Sequence, residues 1–329
     1  MRLTVIDAVA AAAPEATPRE APGAGMRWIP AGTFLMGSDR HYPEEAPAHL
    51  VNVDGFWIDE TTVTNAEFRR FVEATGHVTS AEQPARAEDY PGAKPEMLVP
   101  ASIVFRPPPY RVADLSNHYQ WWAYVPGADW RHPRGPESTI DGLDDHPVVH
   151  VAHADALAYC AWAGKALPTE AEWERAARGG LEGAEFVWGD ELTPEGRHLA
   201  NTWQGDFPNT NSLDDGFEWT APVRSYPPNG YGLFEVAGNV WEWTADFYEA
   251  RHRVRGGCCG PAQNPRGGVR EKSYDPCNPN SFIPRRVTKG GSFLCGPSYC
   301  RRYRPAARMA QPVDTSTCHL GFRCIVRSS

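Results

Sequence analysis

No stretch of the 329 residues approaches the roughly 20 consecutive apolar positions that a membrane-spanning helix needs. The first 25 residues are rich in Ala, Pro and Glu and lack the apolar core after a basic start that marks a secretory leader. They are expected to be a disordered tail on a cytoplasmic protein. Runs of Lys and Arg are missing as well, no nucleic-acid motif is present, and the formal net charge is −9. A nucleic-acid partner is therefore excluded, and a basic peptide is mildly favoured as substrate. The chain shows no internal repeat and no linker that would divide it. Regular periodicity is scarce, whereas Gly (30) and Pro (31) are spread throughout. With 41% apolar residues, including 12 Trp, 12 Tyr and 13 Phe, this scarcity argues for an ordered, loop-rich domain rather than for disorder. The expectation is a single α+β domain over residues 26–329, with two or three helices and short, mostly antiparallel strands.

The helices carry legible start and stop signals. Thr64, followed three residues later by Glu67, is a capping box, in which each side chain satisfies a free backbone amide of the other. Phe68, Phe71 and Val72 then form an apolar stripe, and Gly76 provides a stop. A second helix is predicted from about residue 152 to 163, ending near Gly164. Thr169 and Glu172 make another capping box, opening a helix through Arg178 that stops at Gly179-Gly180. Glu170, Glu172 and Glu174 are accordingly read as capping and helix-dipole residues, not as catalytic carboxylates. Residues 76–145 show no clear period, yet contain Tyr119, Trp121, Trp122, Tyr124 and Trp130. A long irregular segment with that aromatic content is expected to be ordered and functional.

The segment that carries chemistry is residues 289–308. It contains Gly290-Gly291-Ser292, then Cys295 and Cys300 as a Cys-x4-Cys pair, then Arg301, Arg302 and Arg304. Thiolates are soft ligands that favour Cu(I), zinc and iron–sulfur clusters. Two of them fall short of a closed zinc site, so the pair suits Cu(I) or a redox-active dithiol; the plain alternative is a disulfide closing a small loop. Positive charge lowers a thiol's pKa, and Lys289, Arg301, Arg302 and Arg304 are all near in sequence. His146, His150 and His153 invite a zinc or iron site. His146 and His150 lie four apart on a strand-like run, too far for close chelation, so they are read as solvated or core-edge histidines.

Residues 289–308, with the closing Gly321-Phe322-Arg323-Cys324, resemble the active-site segment of the formylglycine-generating enzymes, also called sulfatase-modifying factors. Residues 26–38, 129–133, 146–151, 159–165, 167–174, 227–233 and 238–243 are similar to further blocks of that family, so the resemblance spans about residues 26 to 327. Most of these blocks mark a wider superfamily with non-catalytic members, and Cys295 with Cys300 narrows it to the enzyme. The resemblance implies a variant of the C-type lectin fold. It also implies copper-dependent oxidation, by dioxygen, of a cysteine in a Cys-x-Pro-x-Arg motif of an unfolded or nascent sulfatase polypeptide, with an external thiol as reductant. A hydrogen leaves the substrate Cβ, and the thioaldehyde hydrolyses to formylglycine.

By the same resemblance Cys295 and Cys300 hold Cu(I), Ser292 is the active-site serine and Trp241 lines the oxygen pocket. Tyr299 and His319 lie near the peptide groove, where Trp130 is expected to grip the substrate proline. One structural calcium site would use Asn201 and Asp215 with the carbonyls of Thr202 and Phe217. A second would use Glu235 and Glu242 with Gly238 and Val240. Cys160 and Cys324 would form a disulfide, and the pairing of Cys258, Cys259, Cys277 and Cys318 stays open. The family implies a monomer. Two rivals are an iron-dependent sulfoxide synthase, which needs an extra helical domain and lacks the thiol pair, and a non-catalytic lectin-like module that binds peptides or other ligands.

Overall fold

The computed structural model describes residues 20–254, 260–279 and 281–328. Most of the expected N-terminal tail, together with Cys258 and Cys259, therefore lies outside the described residues. In chain order the first elements are β1 (Met26–Ile29), β2 (Gly32–Met36), β3 (His49–Val53), β4 (Phe56–Asp59), α1 (Asn65–Thr75), β5 (Ala101–Phe105) and β6 (Trp122–Pro126). There follow α2 (His153–Trp162), α3 (Glu170–Arg178), β7 (Trp241–Phe247), β8 (Ala262–Gln263), β9 (Arg285–Lys289), β10 (Met309–Pro312), β11 (Leu320–Gly321) and β12 (Ile325–Arg327).

Both capping boxes form where they were expected. The Thr64 hydroxyl accepts from the Glu67 amide and Gly76 closes α1 at φ 68°; Thr169 and Glu172 do the same for α3, which ends on Gly179 at φ 58°. Residues with αL backbone cost least as glycine, which is why the two stops fall there. Glu170 and Glu174 depart from the expectation. They do not cap, because their side chains face inward along α3. Glu170 is paired through both oxygens with Arg308, at 2.7 and 2.8 Å. Glu174 meets Lys289 at 3.0 Å and Arg178 at 2.7 Å. All five side chains are buried, and buried charges are tolerated only when paired in this way.

Three sheets frame the core. The first has the order β1-β4-β12, joining the two ends of the described domain on β4; the second is β2-β3-β8. The third, β10-β9-β7-β11, carries the chemistry-bearing segment. Most pairings are antiparallel, while β3 with β8 and β7 with β11 run parallel. A hairpin of β5 and β6 lies in the stretch that showed no periodicity. Its strands hid from pattern reading because they are flanked by Pro107-Pro108-Pro109 and by turns rather than by alternating polar residues.

The main core packs Phe68, Phe71, Tyr159, Trp243 and Phe322 together with both Cys295 and Cys300. Trp130 belongs to this core too. It is 1% exposed, sits edge-on to Phe68 at 5.2 Å and carries the Arg131 guanidinium over its ring. It is therefore a core residue and does not face a groove, which corrects its expected role. Cys160 and Cys324 lie in the same core with their sulfurs 3.4 Å apart. They are adjacent free thiols rather than the expected disulfide, since a bonded pair stands at about 2.05 Å.

The three histidines do not converge. His150 bonds Ser102 and the Pro133 carbonyl, His153 the Thr244 carbonyl, and His146 the Thr220 hydroxyl. His150 and His153 are buried rather than at the core edge, and burial lowers the pKa of each to about 4. Among the described residues no group of three or more His, Cys, Asp or Glu is arranged to hold a metal, and no helix is long and apolar enough to cross a membrane.

Candidate active site

Strand β9 ends at Lys289, and the chain turns sharply through Gly290 and Gly291. Gly291 has φ 73°, and a Cβ there would stand 2.9 Å from the Arg302 carbonyl oxygen, so only glycine lets the outgoing and returning strands of this loop touch. The loop then folds on itself. The Cys295 amide donates to the Ser292 carbonyl, and the amides of Tyr299 and Cys300 both donate to the Gly296 carbonyl. These turns bring the two sulfurs to 3.2 Å.

The two cysteines are 3% and 8% exposed and line an open cavity of about 590 Å³. Ser292, Trp241 and His319 line it beside them. Trp241 is in place because β7 and β11 run parallel with Leu320 opposite Trp241, which sets His319 next to the indole. The opposite wall comes from residues far away in sequence. Phe207 stacks on Tyr299 with ring centres 4.1 Å apart and planes within 4°. Trp122 meets His319 edge-on at 4.9 Å, and Tyr119 stands 90% exposed at the mouth. Trp122 and Phe207 thus hold the place expected of Trp130; the aromatic density of residues 119–130 was the signal for a wall, but not for which ring forms it.

The electrostatics of the thiol pair are asymmetric. Cys295 donates its S–H to Cys300, which holds the Cys300 thiol low, and the Arg302 guanidinium 4.0 Å away adds to this against the opposing effect of burial. Burial pushes the Cys295 thiol up, and its role as donor to Cys300 adds to that. Cys300 is thus the more readily deprotonated of the two. Of the four cations near in sequence, only Arg302 faces the sulfurs. Lys289 is taken by Glu174, Arg301 by Glu185 and Arg304 by Glu45.

Ser292 accepts from the Leu294 amide and shares its hydroxyl with His319 Nδ1 at 3.1 Å. Burial drives the His319 pKa down to about 3, so the ring is neutral at physiological pH. Tyr299 keeps its proton, since burial first and the neighbouring thiols second raise it to about 12.

The donor set at Cys295 and Cys300 fits a soft monovalent metal. A separation of 3.2 Å is less than twice a metal–sulfur bond of about 2.3 Å, so a single ion reaches both sulfurs. In the first calcium set a protein donor stands among the oxygens, and one oxygen is left unpaired. Asn201 Oδ1 is buried without any partner. The Asp215 carboxylate and the Thr202 hydroxyl and carbonyl converge on one donor, the Gln204 amide nitrogen. The Phe217 amide donates to the same Asp215 carboxylate. In the second set the fit is poor. Glu235 accepts from the amides of Arg224 and Tyr226. Glu242 is bound through both oxygens by Arg323, at 2.7 and 2.8 Å, and by the Trp173 indole. Arg323 also donates to the Phe234 carbonyl, so a cation already stands beside Glu242. Gly238 and Val240 flank this pair in the loop before β7, and the Gly238 amide is spent on the Gly290 carbonyl. The expected ligand role of Glu242 is corrected to that of a buried ion-pair partner.

The chain is similar to known proteins over most of its length. The family model described as sulfatase-modifying factor enzyme 1-like domain matches residues 10–328. A Mycobacterium tuberculosis protein named formylglycine-generating enzyme is 49% identical over 300 residues, which is 90% of this chain and 96% of that protein. A mouse protein named inactive C-alpha-formylglycine-generating enzyme 2 is 38% identical, over 91% of this chain and 84% of its own length. Among solved structures, PvdO from Pseudomonas aeruginosa superposes with a TM-score of 0.59 at 22% identity, covering 91% of this chain and 93% of that one, which speaks for the fold alone. The loop-rich α+β architecture is thus the lectin-like one expected.

Proposed function

The chain belongs to the family of sulfatase-modifying factor enzyme 1-like domains, and from that premise we propose that it oxidises a cysteine of sulfatase polypeptides to formylglycine. The observation that carries the proposal is the pair of Cys295 and Cys300 sulfurs, 3.2 Å apart and lining an open cavity of about 590 Å³. The family also contains a relative named inactive, so membership alone does not decide activity.

The substrate is an unfolded or nascent chain bearing Cys-x-Pro-x-Arg. Its proline packs against the aromatic wall of Tyr299 and Phe207, and its thiol is delivered towards the buried sulfurs. Cys295 and Cys300 hold Cu(I), which supplies one-electron chemistry with dioxygen. Cys300 gives up its proton more easily than Cys295 to serve as a ligand. Trp241 and Trp122 keep bulk water from the reacting Cβ. The Ser292 hydroxyl is held in a fixed pose by Leu294 and His319, where it can exchange hydrogen bonds with the substrate without being consumed.

The electrons balance as follows. Dioxygen takes four, two from the substrate carbon and two from an external pair of thiols, which become a disulfide. The products are the aldehyde, hydrogen sulfide released on hydrolysis of the thioaldehyde, and water. Calcium at Asn201, Thr202, Asp215 and Phe217 is proposed as a structural ion, supported by the orphaned Asn201 oxygen. A monomer working in the cytoplasm completes the reading.

The test is mass spectrometry of a Cys-x-Pro-x-Arg peptide incubated with the protein, Cu(I), a thiol reductant and air. Conversion of thiol to aldehyde, lost without copper and lost in Cys300→Ser, supports the reading. An unchanged peptide with copper-loaded, folded protein refutes it and shifts the weight to a peptide-binding module.

A further inference from the structure

We infer that Arg302, held by Glu44 and Tyr42, is the positioning counter-charge that sets the affinity of the thiol pair for Cu(I). This rests on the copper reading above. Two thiolates and one Cu(I) sum to a single negative charge, and it would lie where the two cysteines are 3% and 8% exposed. A buried charge without a partner is strongly unfavourable, so the metal-loaded state needs a nearby cation.

Arg302 is the one cationic side chain among the described residues lining the cavity. Its Nη1 lies 4.0 Å from Cys300 Sγ, the far limit of a contact to sulfur. Three ties fix it there. Nη2 is 2.6 Å from Glu44 Oε1, and the guanidinium carbon lies over the Tyr42 ring, 3.9 Å from its centre. In addition, the Tyr42 hydroxyl accepts from the Arg301 amide, which locks the ring to the loop itself. The neighbouring Arg304 grips Glu45 with both terminal nitrogens, so the whole turn at residues 42–45 is a brace bound to residues 300–304. The guanidinium therefore has no freedom to swing away when the metal leaves. Its Nε is buried and has no partner, which leaves donor capacity on the side of the group not held by Glu44.

The geometry selects Arg302 over its neighbours. Arg301 is 46% exposed on its side chain and engaged by Glu185, Arg304 is turned onto Glu45, and Lys289 points to Glu174. At 4 Å and an effective dielectric of about 20 a charge pair is strong enough to change an affinity by roughly 10²–10³-fold. Solvent reaches the Arg302 side chain, which is 23% exposed, and screens part of this, so a loss of about 100-fold is expected on removing the guanidinium.

The experiment is competition for Cu(I) between the full chain and a colorimetric chelator, without substrate and without turnover. Arg302→Gln is expected to bind Cu(I) about 100-fold more weakly than the parent. Arg302→Lys, which keeps the charge and loses the flat fork, is expected to lose less than 10-fold. Arg301→Gln makes the same change in net charge one residue away and is expected to lose none. Thermal melts of the metal-free proteins report folding separately. A folded Arg302→Gln within 3-fold of the parent overturns the inference. If Arg302→Gln does not fold, the decision passes to Arg302→Lys, and copper binding as weak as that of Cys300→Ser overturns it there. A parent that itself binds Cu(I) no better than Cys300→Ser overturns the copper reading, and the inference falls with it.

Discussion

Replacing Glu174 by Gln should cost the fold several kcal/mol although it removes no atom from the core. Glu174 is fully buried, with Oε2 on Lys289 at 3.0 Å and Oε1 on both Arg178 and the Gly37 amide. Burial pushes its pKa up, but Lys289 and then Arg178 outweigh it, and the carboxyl stands at about 2 against an ordinary 4.5. At about 1.4 kcal/mol per pH unit this difference amounts to about 3 kcal/mol of stability at neutral pH. Removing one partner of a buried pair leaves the other unpaired, and such changes typically cost about 3–5 kcal/mol, so the two routes agree. Here the groups left behind are Lys289, 0% exposed, with Glu170 at 3.7 Å to answer it, and Arg178, 5% exposed, which keeps only the Gly37 carbonyl. For a chain of this size the melting temperature should fall by about 4–7 °C. Guanidinium unfolding at pH 7 measures the loss directly. The double variant with Lys289→Met should recover part of it, because only Arg178 is then left without its carboxylate. Since Lys289 leads straight into Gly290-Gly291-Ser292, the single variant should also bind copper less well. A loss below about 1 kcal/mol for Glu174→Gln, or a double variant no better than the single, would refute the reasoning.

Further outcomes follow from the same contacts. His150, His153 and His252 have pKa values lowered by burial to about 4, and His319 to about 3. Because these folded values lie below 6.5, the histidines contribute stability that is present above pH 6.5 and lost as pH falls towards 4. Denaturant midpoints should drop across that window at a slope approaching about 5 kcal/mol per pH unit, four protons' worth, and a flat profile from pH 7 to 5 would contradict this. Trp122→Ala should raise KM for the peptide at little cost in stability. Trp130→Ala should instead lose about 3–5 kcal/mol of stability and leave KM of the folded fraction unchanged; kinetics beside thermal melts separate the two. If calcium fills the Asn201 site, a chelator should lower the melting temperature, by about 2.7 kcal/mol of stability when calcium was present at 100 times its Kd, and Asn201→Leu should abolish the response.

What sequence reasoning could reach divides along sequence distance. Thr64 with Glu67, and Thr169 with Glu172, are local devices three residues long, so the starts of α1 and α3 were legible. Cys295, Cys300 and Ser292 sit in one short loop, and their proximity follows from its glycines. Arg301, Arg304 and Lys289 were grouped with Arg302 as cations near the thiols, and the structure separates them. Their partners Glu185, Glu45 and Glu174 lie 116, 259 and 115 positions away, out of reach of any pattern. Trp130 and Trp122 were equally plausible as groove rings, because a tryptophan looks the same in a core as in a wall. The fate of Glu242 likewise depended on Arg323, 81 positions further on. The brace at residues 42–45 left no mark at all, since Tyr42 and Glu44 have no motif around them.

The strand β4 lies between β1 and β12, so the first described strand and the last complete one sheet. A ribosome makes β4 early and β12 at the very end of the described domain. Until then Ile58 and Phe56 have one open edge, and β11, which seats His319 against Trp241, does not yet exist. Protein domains commonly fold from the N-terminus as they are made, at about 5–20 residues per second. This one cannot finish either its frame or its reaction chamber that way. Cys295 and Cys300 are therefore made before the strand that closes their cavity, and both the frame and the cavity are completed by the same last two strands.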